Sequence, residues 1–217
     1  MAPVVDGRVT SGGSVSREVA TAYGPARVHV HAAAAPVGAL VLGHGAGGAV
    51  SAPDLVAVIS AAVGLHVTVV TVEQPYRVAG RRAPAPARQL DAAWEVVLAD
   101  LTHAELSGLP LVVGGRSSGA RVACRTAGTV GALAVLCLAF PLVPPRAAKP
   151  TTRAGELEAV AVPVLVVQGA RDRFGRPEPG ALREVVLVPG DHTLHTDPAA
   201  VAEAVAAWLP GVLLSRG

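Results

Sequence analysis

The chain has 217 residues, of which 51% are hydrophobic and 16% are charged, and its formal net charge is +2. This length suits one well-buried α/β domain, so we expect a single domain over residues 1–217. The basic residues are spread along the chain and form no cluster, which argues against a nucleic-acid-binding surface.

The hydrophobic content raises the question of a membrane span. Residues 126–145 carry no charge, and a stretch of this length could form a transmembrane helix. Glycines and prolines interrupt it, however, and its apolar part at 132–140 has the length of a strand buried on both faces of a parallel sheet. We therefore expect a core strand here and no membrane span.

Two features indicate a cytoplasmic protein. The sequence begins without an apolar segment after basic residues, so we expect no signal peptide. Cys124 and Cys137 lie in apolar surroundings and lack the spacing of metal ligands. They are typical of reduced core cysteines in a reducing compartment.

Predicted strands and helices alternate along the chain. Residues 15–21 and 26–32 alternate in polarity around a Gly24-Pro25 turn, which predicts an antiparallel hairpin. Apolar runs that predict buried strands follow at 38–42, 67–72, 110–113, 132–140, 163–167 and 184–188. Helical patterns cover 53–63, a stretch after Pro86, 118–127, and a last segment that begins at Asp197 and Pro198, an N-cap and first-turn proline pair. This alternation predicts an α/β fold with a mostly parallel sheet and helices on both faces.

Polar segments follow one predicted strand after another. They are GHGAGG at 43–48, EQPYR at 73–77, GGRSSG at 114–119, QGARDRFG at 168–175 and PGDHTLH at 189–195. In an open parallel sheet, functional side chains collect at the carboxyl ends of the strands. The recurrence of these segments at one edge carries more weight than any single motif.

Residues 115–119 match the pattern G-x-S-x-G, with Ser117 at its centre. A nucleophile in this position needs a tight, strained turn and neighbours too small to clash with the strand or the helix. Ser118 follows it and would contribute its backbone N–H. The alternative is a glycine-rich turn in which Ser117 or Ser118 is only a helix N-cap.

A serine nucleophile needs a base, which an acid in turn orients. His192 follows the last predicted strand, with His195 as its competitor, and both could instead be solvated loop histidines. No carboxylate occurs between Glu105 and Glu156, so the acid cannot follow the strand at 132–140. Asp172 follows the next strand and yields the order Ser, Asp, His; the alternative is an ion pair with a neighbouring arginine.

The glycine-rich segment at 44–48 completes the predicted site. Acyl transfer develops an oxyanion, and each preorganised N–H group that binds it contributes about 3 kcal/mol. We expect Ala46 and Ser118 to supply these N–H groups, and His44 to shape the loop. Neither glycine pattern of nucleotide-binding loops is matched, so we expect no cofactor there. His29 and His31 share a strand face but lack a third ligand, so we expect no metal.

The remaining polar residues near the predicted site are candidates for substrate binding. We expect Glu73, Tyr76, Arg77 and Arg116 to bind it. Arginines near the predicted site indicate either an anionic acyl substrate or a solvated rim partly neutralised by Glu73; they are Arg77, Arg81, Arg82, Arg116, Arg121, Arg171 and Arg173. The 22 residues at 141–162 are too few for a lid domain, which predicts an open site for a small or exposed substrate.

Several segments together resemble a known family. LVLGHGAGG, EQPYRVAGRR, GGRSSGAR, VLVVQGARDRFG and PGDHTL are similar to segments of the small α/β-hydrolases related to the dienelactone hydrolases. The resemblance spans about Ala39–Trp208 and is strongest to a bacterial branch similar to testis-expressed hydrolase-like proteins and to a chromatin-complex subunit of animals. It implies the α/β-hydrolase fold, with Ser117 as nucleophile, Asp172 as acid and His192 as base.

The resemblance also leaves the substrate open. Dienelactone hydrolases proper use a cysteine nucleophile, whereas this chain has Ser117, so their substrate is not implied. Some animal relatives resemble scaffolds, which makes a catalytically silent interaction module the alternative. We expect a serine hydrolase that cleaves a small ester or thioester through an acyl-enzyme.

Overall fold

The computed structural model describes residues 14–144 and 152–214 together with the backbone of residues 8 and 9. The strands in this part of the chain are β1 (Arg8–Val9), β2 (Val15–Val19), β3 (Ala26–His31), β4 (Gly38–Gly43), β5 (Val67–Glu73), β6 (Leu111–Arg116), β7 (Ala134–Leu138), β8 (Val164–Gly169) and β9 (Arg183–Val188). The helices are α1 (Pro53–Gly64), α2 (Pro75–Val78), α3 (Ala87–His103), α4 (Ser118–Thr126), α5 (Ala154–Glu158) and α6 (Pro198–Leu214).

The strands form one sheet with the order β1-β2-β3-β5-β4-β6-β7-β8-β9. The pairs β1–β2, β2–β3 and β3–β5 are antiparallel. All the other pairs of neighbouring strands, from β5–β4 at one side to β8–β9 at the other, are parallel. In the central register, Val41 of β4 lies between Val70 of β5 and Val113 of β6. The structure thus confirms the predicted N-terminal hairpin and the mostly parallel sheet.

Alternating side chains of the buried strands point to opposite faces of the sheet and fill two apolar cores. On one face, Val41 packs with residues of α3 and α4, including Trp94, Leu98 and Ala120. On the other face, Leu40 packs with residues of α1 and α6, including Leu55, Val205 and Leu209. Because both faces are covered, the central strands are continuous apolar runs and show no polar alternation. The prediction of helices on both faces is therefore confirmed.

The structure differs from the predicted elements in a few places. Strand β7 ends at Leu138, because Ala139 adopts a positive φ of 49° although it is still buried. Strand β6 continues through two glycines to Arg116. Helices α2 and α5 have only 4 and 5 residues, too short for a helical period to show in the sequence.

The connection from β7 to β8 is short, and its described residues include the helix α5. It leaves no room for a lid domain, as predicted.

None of the helices that the structure describes is long and apolar enough to cross a membrane. Cys124 of α4 and Cys137 of β7 are buried free thiols with their Sγ atoms 3.5 Å apart. The first residues, which bear on the signal-peptide expectation, lie almost entirely outside the described part.

Candidate active site

Ser117 lies at the sharp turn between β6 and α4. Its backbone has φ 52° and ψ −103°, a strained conformation for a residue with a side chain. Strain of this kind persists only where the surroundings enforce it, and here the Ser117 N–H donates to the Leu138 carbonyl at 2.8 Å. The hydroxyl makes no capping bond to α4, which sets aside the interpretation of Ser117 as a helix N-cap.

The glycines of G-x-S-x-G serve close packing between β4, β6 and α4. A Cβ on Gly119 would lie 2.4 Å from the Gly43 carbonyl oxygen, and one on Gly115 would lie 2.5 Å from the same atom. This oxygen belongs to the backbone and cannot rotate away. The motif therefore needs glycine at these positions because the end of β4 touches the start of α4.

Gly119→Ala should destabilise the protein by about 1–3 kcal/mol, because the added methyl group overpacks a backbone contact. The matched control is Gly128→Ala just after α4, where a Cβ would meet nothing within 4 Å. Chemical denaturation of both variants measures the difference. Equal unfolding free energies for the two would contradict the packing argument.

Three side chains from different loops form a hydrogen-bonded chain. His192 Nε2 lies 2.9 Å from Ser117 Oγ, and His192 Nδ1 lies 2.7 Å from Asp172 Oδ2. An ionised carboxylate can only accept, so Nδ1 carries the proton and donates to Asp172. Nε2 is then free to accept the hydrogen bond from the Ser117 hydroxyl. This is the protonation state in which an imidazole can act as a base towards serine.

Asp172 is held by bonds beyond the one to His192. Its side chain is completely buried, and its Oδ1 accepts from the Phe174 N–H at 2.8 Å. Gln168 Nε2 lies 2.8 Å from Asp172 Oδ2, and within 3.1 Å of two backbone carbonyls. Gln168 thus orients the carboxylate, a role that sequence reasoning missed. A glutamine at the end of the apolar run VLVVQG was the available signal.

Phe174 is a second residue that sequence reasoning missed. Its ring meets the His192 ring edge-on, with 4.5 Å between centroids and 80° between planes. The Arg173 guanidinium lies over the Phe174 ring, 4.9 Å from its centroid. The aromatic ring therefore limits how far the imidazole can tilt.

His195 and the two carboxylates nearest to it in the sequence, Asp191 and Asp197, have other surroundings. His195 is exposed, and Asp191 accepts hydrogen bonds from the backbone N–H and hydroxyl of Thr193. Asp197 Oδ1 accepts from the Ala200 N–H at 2.9 Å, which is the contact of an N-cap on α6. These contacts leave His192 and Asp172 as the pair that reaches Ser117.

His44 and Tyr76 hold the glycine-rich loop at residues 43–48 (the 43–48 loop). His44 Nδ1 donates to the Gly45 carbonyl at 2.7 Å, and its Nε2 accepts from the Gln74 N–H at 3.1 Å. Burial lowers the pKa of His44, which keeps this ring neutral. The Tyr76 hydroxyl donates to the Ala46 carbonyl at 2.7 Å.

These bonds orient the peptide that joins Gly45 to Ala46. In a trans peptide the N–H points away from the carbonyl, so the bond to the Gly45 oxygen directs the Ala46 N–H to the opposite side. Ser118 is the first residue of α4, so its N–H lacks a partner within the helix. Ser118 and His44 line the same small cavity, which places the start of α4 beside the 43–48 loop.

The four residues expected to bind substrate have different surroundings. Glu73 is paired with two residues of β3, His29 at 3.2 Å and Arg27 at 3.6 Å, and the bond from His29 lowers the pKa of Glu73. Tyr76 is buried, which raises its pKa to about 12, and its hydroxyl is used in the 43–48 loop. Arg77 is half-buried and donates to the Arg81 carbonyl at 3.4 Å.

The Arg116 side chain contacts two other segments of the protein. Its Nη2 donates to the His192 carbonyl at 3.1 Å, and its Nε lies 3.0 Å from Asp54 Oδ2. Of the other arginines expected near the site, Arg121 is paired with Glu156 at 2.6 Å. Those that remain exposed are Arg81, Arg82, Arg171 and Arg173. In the described residues, no three histidine, cysteine, aspartate or glutamate side chains are grouped so that they could hold a metal ion.

Comparison with known sequences agrees with this architecture. Residues 36–196, well over half of the chain, match the profile of the alpha/beta hydrolase domain family. The chain belongs to this family. A search of curated proteins finds no significant match to this α/β hydrolase.

Solved structures show the same fold. The α/β hydrolase is similar to an alpha-beta serine hydrolase homologue from Coxiella burnetii, with a TM-score of 0.74 at 17% identity over 93% of this chain and 99% of that one. It is similar to a serine hydrolase without a lid from Xanthomonas campestris, with a TM-score of 0.67 at 20% identity over 94% and 98% of the two chains. A dienelactone hydrolase from Anabaena variabilis has a TM-score of 0.68 at 16% identity over 90% and 98%. The resemblance to a small α/β-hydrolase related to that group is thus confirmed.

Proposed function

We propose that this α/β hydrolase is a serine hydrolase that cleaves a small ester or thioester through an acyl-enzyme. The observation that carries the proposal is the hydrogen-bonded chain from Ser117 through His192 to Asp172, built on a strained turn. A catalytically silent scaffold needs none of these three side chains in this arrangement. The nucleophile, the base and the acid are Ser117, His192 and Asp172.

Acylation begins when His192 Nε2 takes the proton of the Ser117 hydroxyl. As Oγ bonds to the substrate carbonyl carbon, one electron pair of the carbonyl moves to its oxygen and a tetrahedral intermediate forms. The intermediate collapses, the bond to the alkoxide or thiolate breaks, and the leaving group takes the proton from Nε2. Asp172 accepts the Nδ1–H bond throughout and stabilises the imidazolium.

The oxyanion is bound by the N–H groups of Ala46 and Ser118. The bond from His44 to the Gly45 carbonyl supports this role for Ala46, because it holds the peptide that carries the N–H. Preorganised donors of this kind need no rearrangement when the charge develops, which makes them effective. In the second half-reaction, water gives its proton to His192 Nε2 and attacks the acyl carbon; collapse releases the acid and returns the proton to Ser117.

The connection from β7 to β8 is too short for a lid domain, which favours small or exposed acyl groups. Arg171 and Arg173, exposed on either side of Asp172 in the sequence, support a preference for anionic acyl substrates, although Arg121 is neutralised by its ion pair with Glu156. We further propose that the chain is a single domain in the cytoplasm. The buried pair of free thiols supports this location, since such thiols persist in a reducing compartment.

Labelling with a fluorophosphonate probe tests the proposal, together with a panel of p-nitrophenyl esters and acyl thioesters of increasing chain length. We expect one label per chain and the fastest turnover for short acyl groups. Heat-denatured protein is the control for non-specific labelling. Folded protein that takes no label and turns over no ester or thioester would instead indicate a scaffold.

A further inference from the structure

The side chain of Arg116 joins several segments of the site. It leaves the end of β6 directly before Ser117, and its Nη2 donates to the backbone carbonyl of His192 at 3.1 Å. Its Nη1 lies against the 43–48 loop, where a Cβ on Gly45 would come within 2.9 Å of that atom. One guanidinium therefore links the turn of the nucleophile, the loop of the base and the 43–48 loop, which carries the Ala46 N–H.

Asp54, in the first turn of α1, anchors the guanidinium from the other side. Its Oδ2 lies 3.0 Å from Arg116 Nε; the Asp54 side chain is completely buried, and that of Arg116 is 13% exposed. In the part of the chain that the structure describes, the contact between Asp54 Oδ2 and Arg116 Nε lacks the geometry of a directed hydrogen bond, so charge at close approach holds the pair. Burial raises the pKa of Asp54, and the Arg116 charge together with the backbone N–H groups of Leu55 and Asp54 opposes this effect.

Stability alone does not account for such a pair. Removing two charges from water costs about as much as their attraction returns, and apolar residues of similar volume often stabilise a buried site as well or better. A buried ion pair that also bonds the backbone of a site residue is better explained by the geometry it enforces.

We propose that Arg116 is a positioning residue that holds the loop of His192 and the 43–48 loop in register with Ser117, and that Asp54 anchors it. This inference rests on the proposed serine-hydrolase function. It assigns Arg116 to the support of the site, in place of the substrate-binding role expected from the sequence. The side-chain bonds of His192 align its ring only while its backbone stays in place, and the bond from Arg116 secures that backbone.

The consequence is a kinetic one. A displacement of about 1 Å at a catalytic group can cost about 100-fold in rate. Because the guanidinium faces protein groups, its loss should slow the chemical step and leave substrate binding nearly unchanged. We therefore expect Arg116→Met to lower kcat for p-nitrophenyl acetate by about 10- to 100-fold, with little change in KM.

The matched control is Arg125→Met. Arg125 lies on α4 and is paired with Asp91 at 2.6 Å, but that pair joins α4 to α3. Both variants lose a partly buried arginine and its ion pairing, which in Arg125 includes Glu156 at 3.3 Å, so their unfolding free energies calibrate any loss of stability. We expect kcat near the wild-type value for Arg125→Met. An equal fall of kcat in both variants, or wild-type kcat in Arg116→Met, would overturn the proposal.

Proton NMR supplies a readout that does not depend on turnover. The His192 Nδ1–H that donates to Asp172 should resonate far downfield in the wild type, and should broaden or shift in Arg116→Met but not in Arg125→Met. If the wild type neither reacts with fluorophosphonate nor hydrolyses esters, the proposed function fails, and the same resonance still tests whether Arg116 positions His192. An unchanged resonance in Arg116→Met would refute that role.

The role of Asp54 is tested by a double-mutant cycle. If Asp54 acts through Arg116, Asp54→Asn should lower kcat, and the double variant with Arg116→Met should be no worse than Arg116→Met alone. Additive losses would refute the anchoring role. If Arg116→Met fails to fold, Arg116→Lys takes its place in the experiment. Lysine keeps the positive charge, but its single nitrogen cannot reach both Asp54 and His192. A wild-type kcat in Arg116→Lys would overturn the proposal.

Discussion

Ser117→Ala should abolish ester hydrolysis, with a loss in kcat on the order of 10⁵- to 10⁶-fold. The substitution removes the atom that would form the acyl-enzyme and leaves His192 without a proton to accept from serine. The residual rate should come from substrate binding and oxyanion stabilisation alone. Labelling by a fluorophosphonate probe should disappear in the same variant.

Ser118→Ala is the matched control for this experiment. It deletes a neighbouring hydroxyl in the same turn but keeps the backbone N–H, which is the group assigned to the oxyanion. We expect full labelling and a kcat within about threefold of the wild type, since no catalytic bond is lost. Labelling that survives in Ser117→Ala and vanishes in Ser118→Ala would show that the nucleophile was assigned to the wrong serine.

Asp172→Asn should lower kcat by about 10⁴-fold while the protein still folds. The carboxylate accepts from His192 and Gln168 at one oxygen and from the Phe174 N–H at the other. An asparagine amide can replace only one of these acceptors, so each orientation points its NH₂ at an existing donor. When the NH₂ faces His192, it favours the tautomer with the proton on Nε2, which cannot accept the serine proton.

Asp191→Asn is the control for Asp172→Asn. Asp191 adjoins His192 in sequence, but its carboxylate bonds to Thr193 and lies on the exposed surface. Steady-state kinetics on one ester should show a kcat close to the wild-type value for Asp191→Asn. A larger loss there than in Asp172→Asn would contradict the assignment of the acid.

Much of the fold could be predicted because its information is local. Buried strands appear as apolar runs, amphipathic helices appear as 3.6-residue periods, and their alternation restricts the topology to parallel crossovers. The ends of elements were harder to predict. Ala139 and Phe140 are as buried as the strand before them, yet the positive φ of Ala139 ends β7, and no apolar pattern records that angle.

The candidate site could be predicted in part for a different reason. The motif at 115–119 and the gap in carboxylates between Glu105 and Glu156 left few combinations of nucleophile and acid. The contacts between side chains in the site could not be predicted in this way. Phe174 contacts His192 only because the loops after β8 and β9 approach each other in space. Gln168 supports Asp172 because the turn after β8 brings the aspartate back to the end of that strand.

The sequence by itself determined the alternation of the longer strands and helices, the polar segments at one edge of the sheet and the family to which the chain belongs. Only the tertiary structure decided that His192, and not His195, lies 2.9 Å from a serine 75 residues earlier. It also decided that the motif glycines serve backbone contact, and that Arg116 faces Asp54 and the His192 carbonyl. The physical reason is that periodicity encodes each element, whereas the distances between loops depend on how the whole sheet packs.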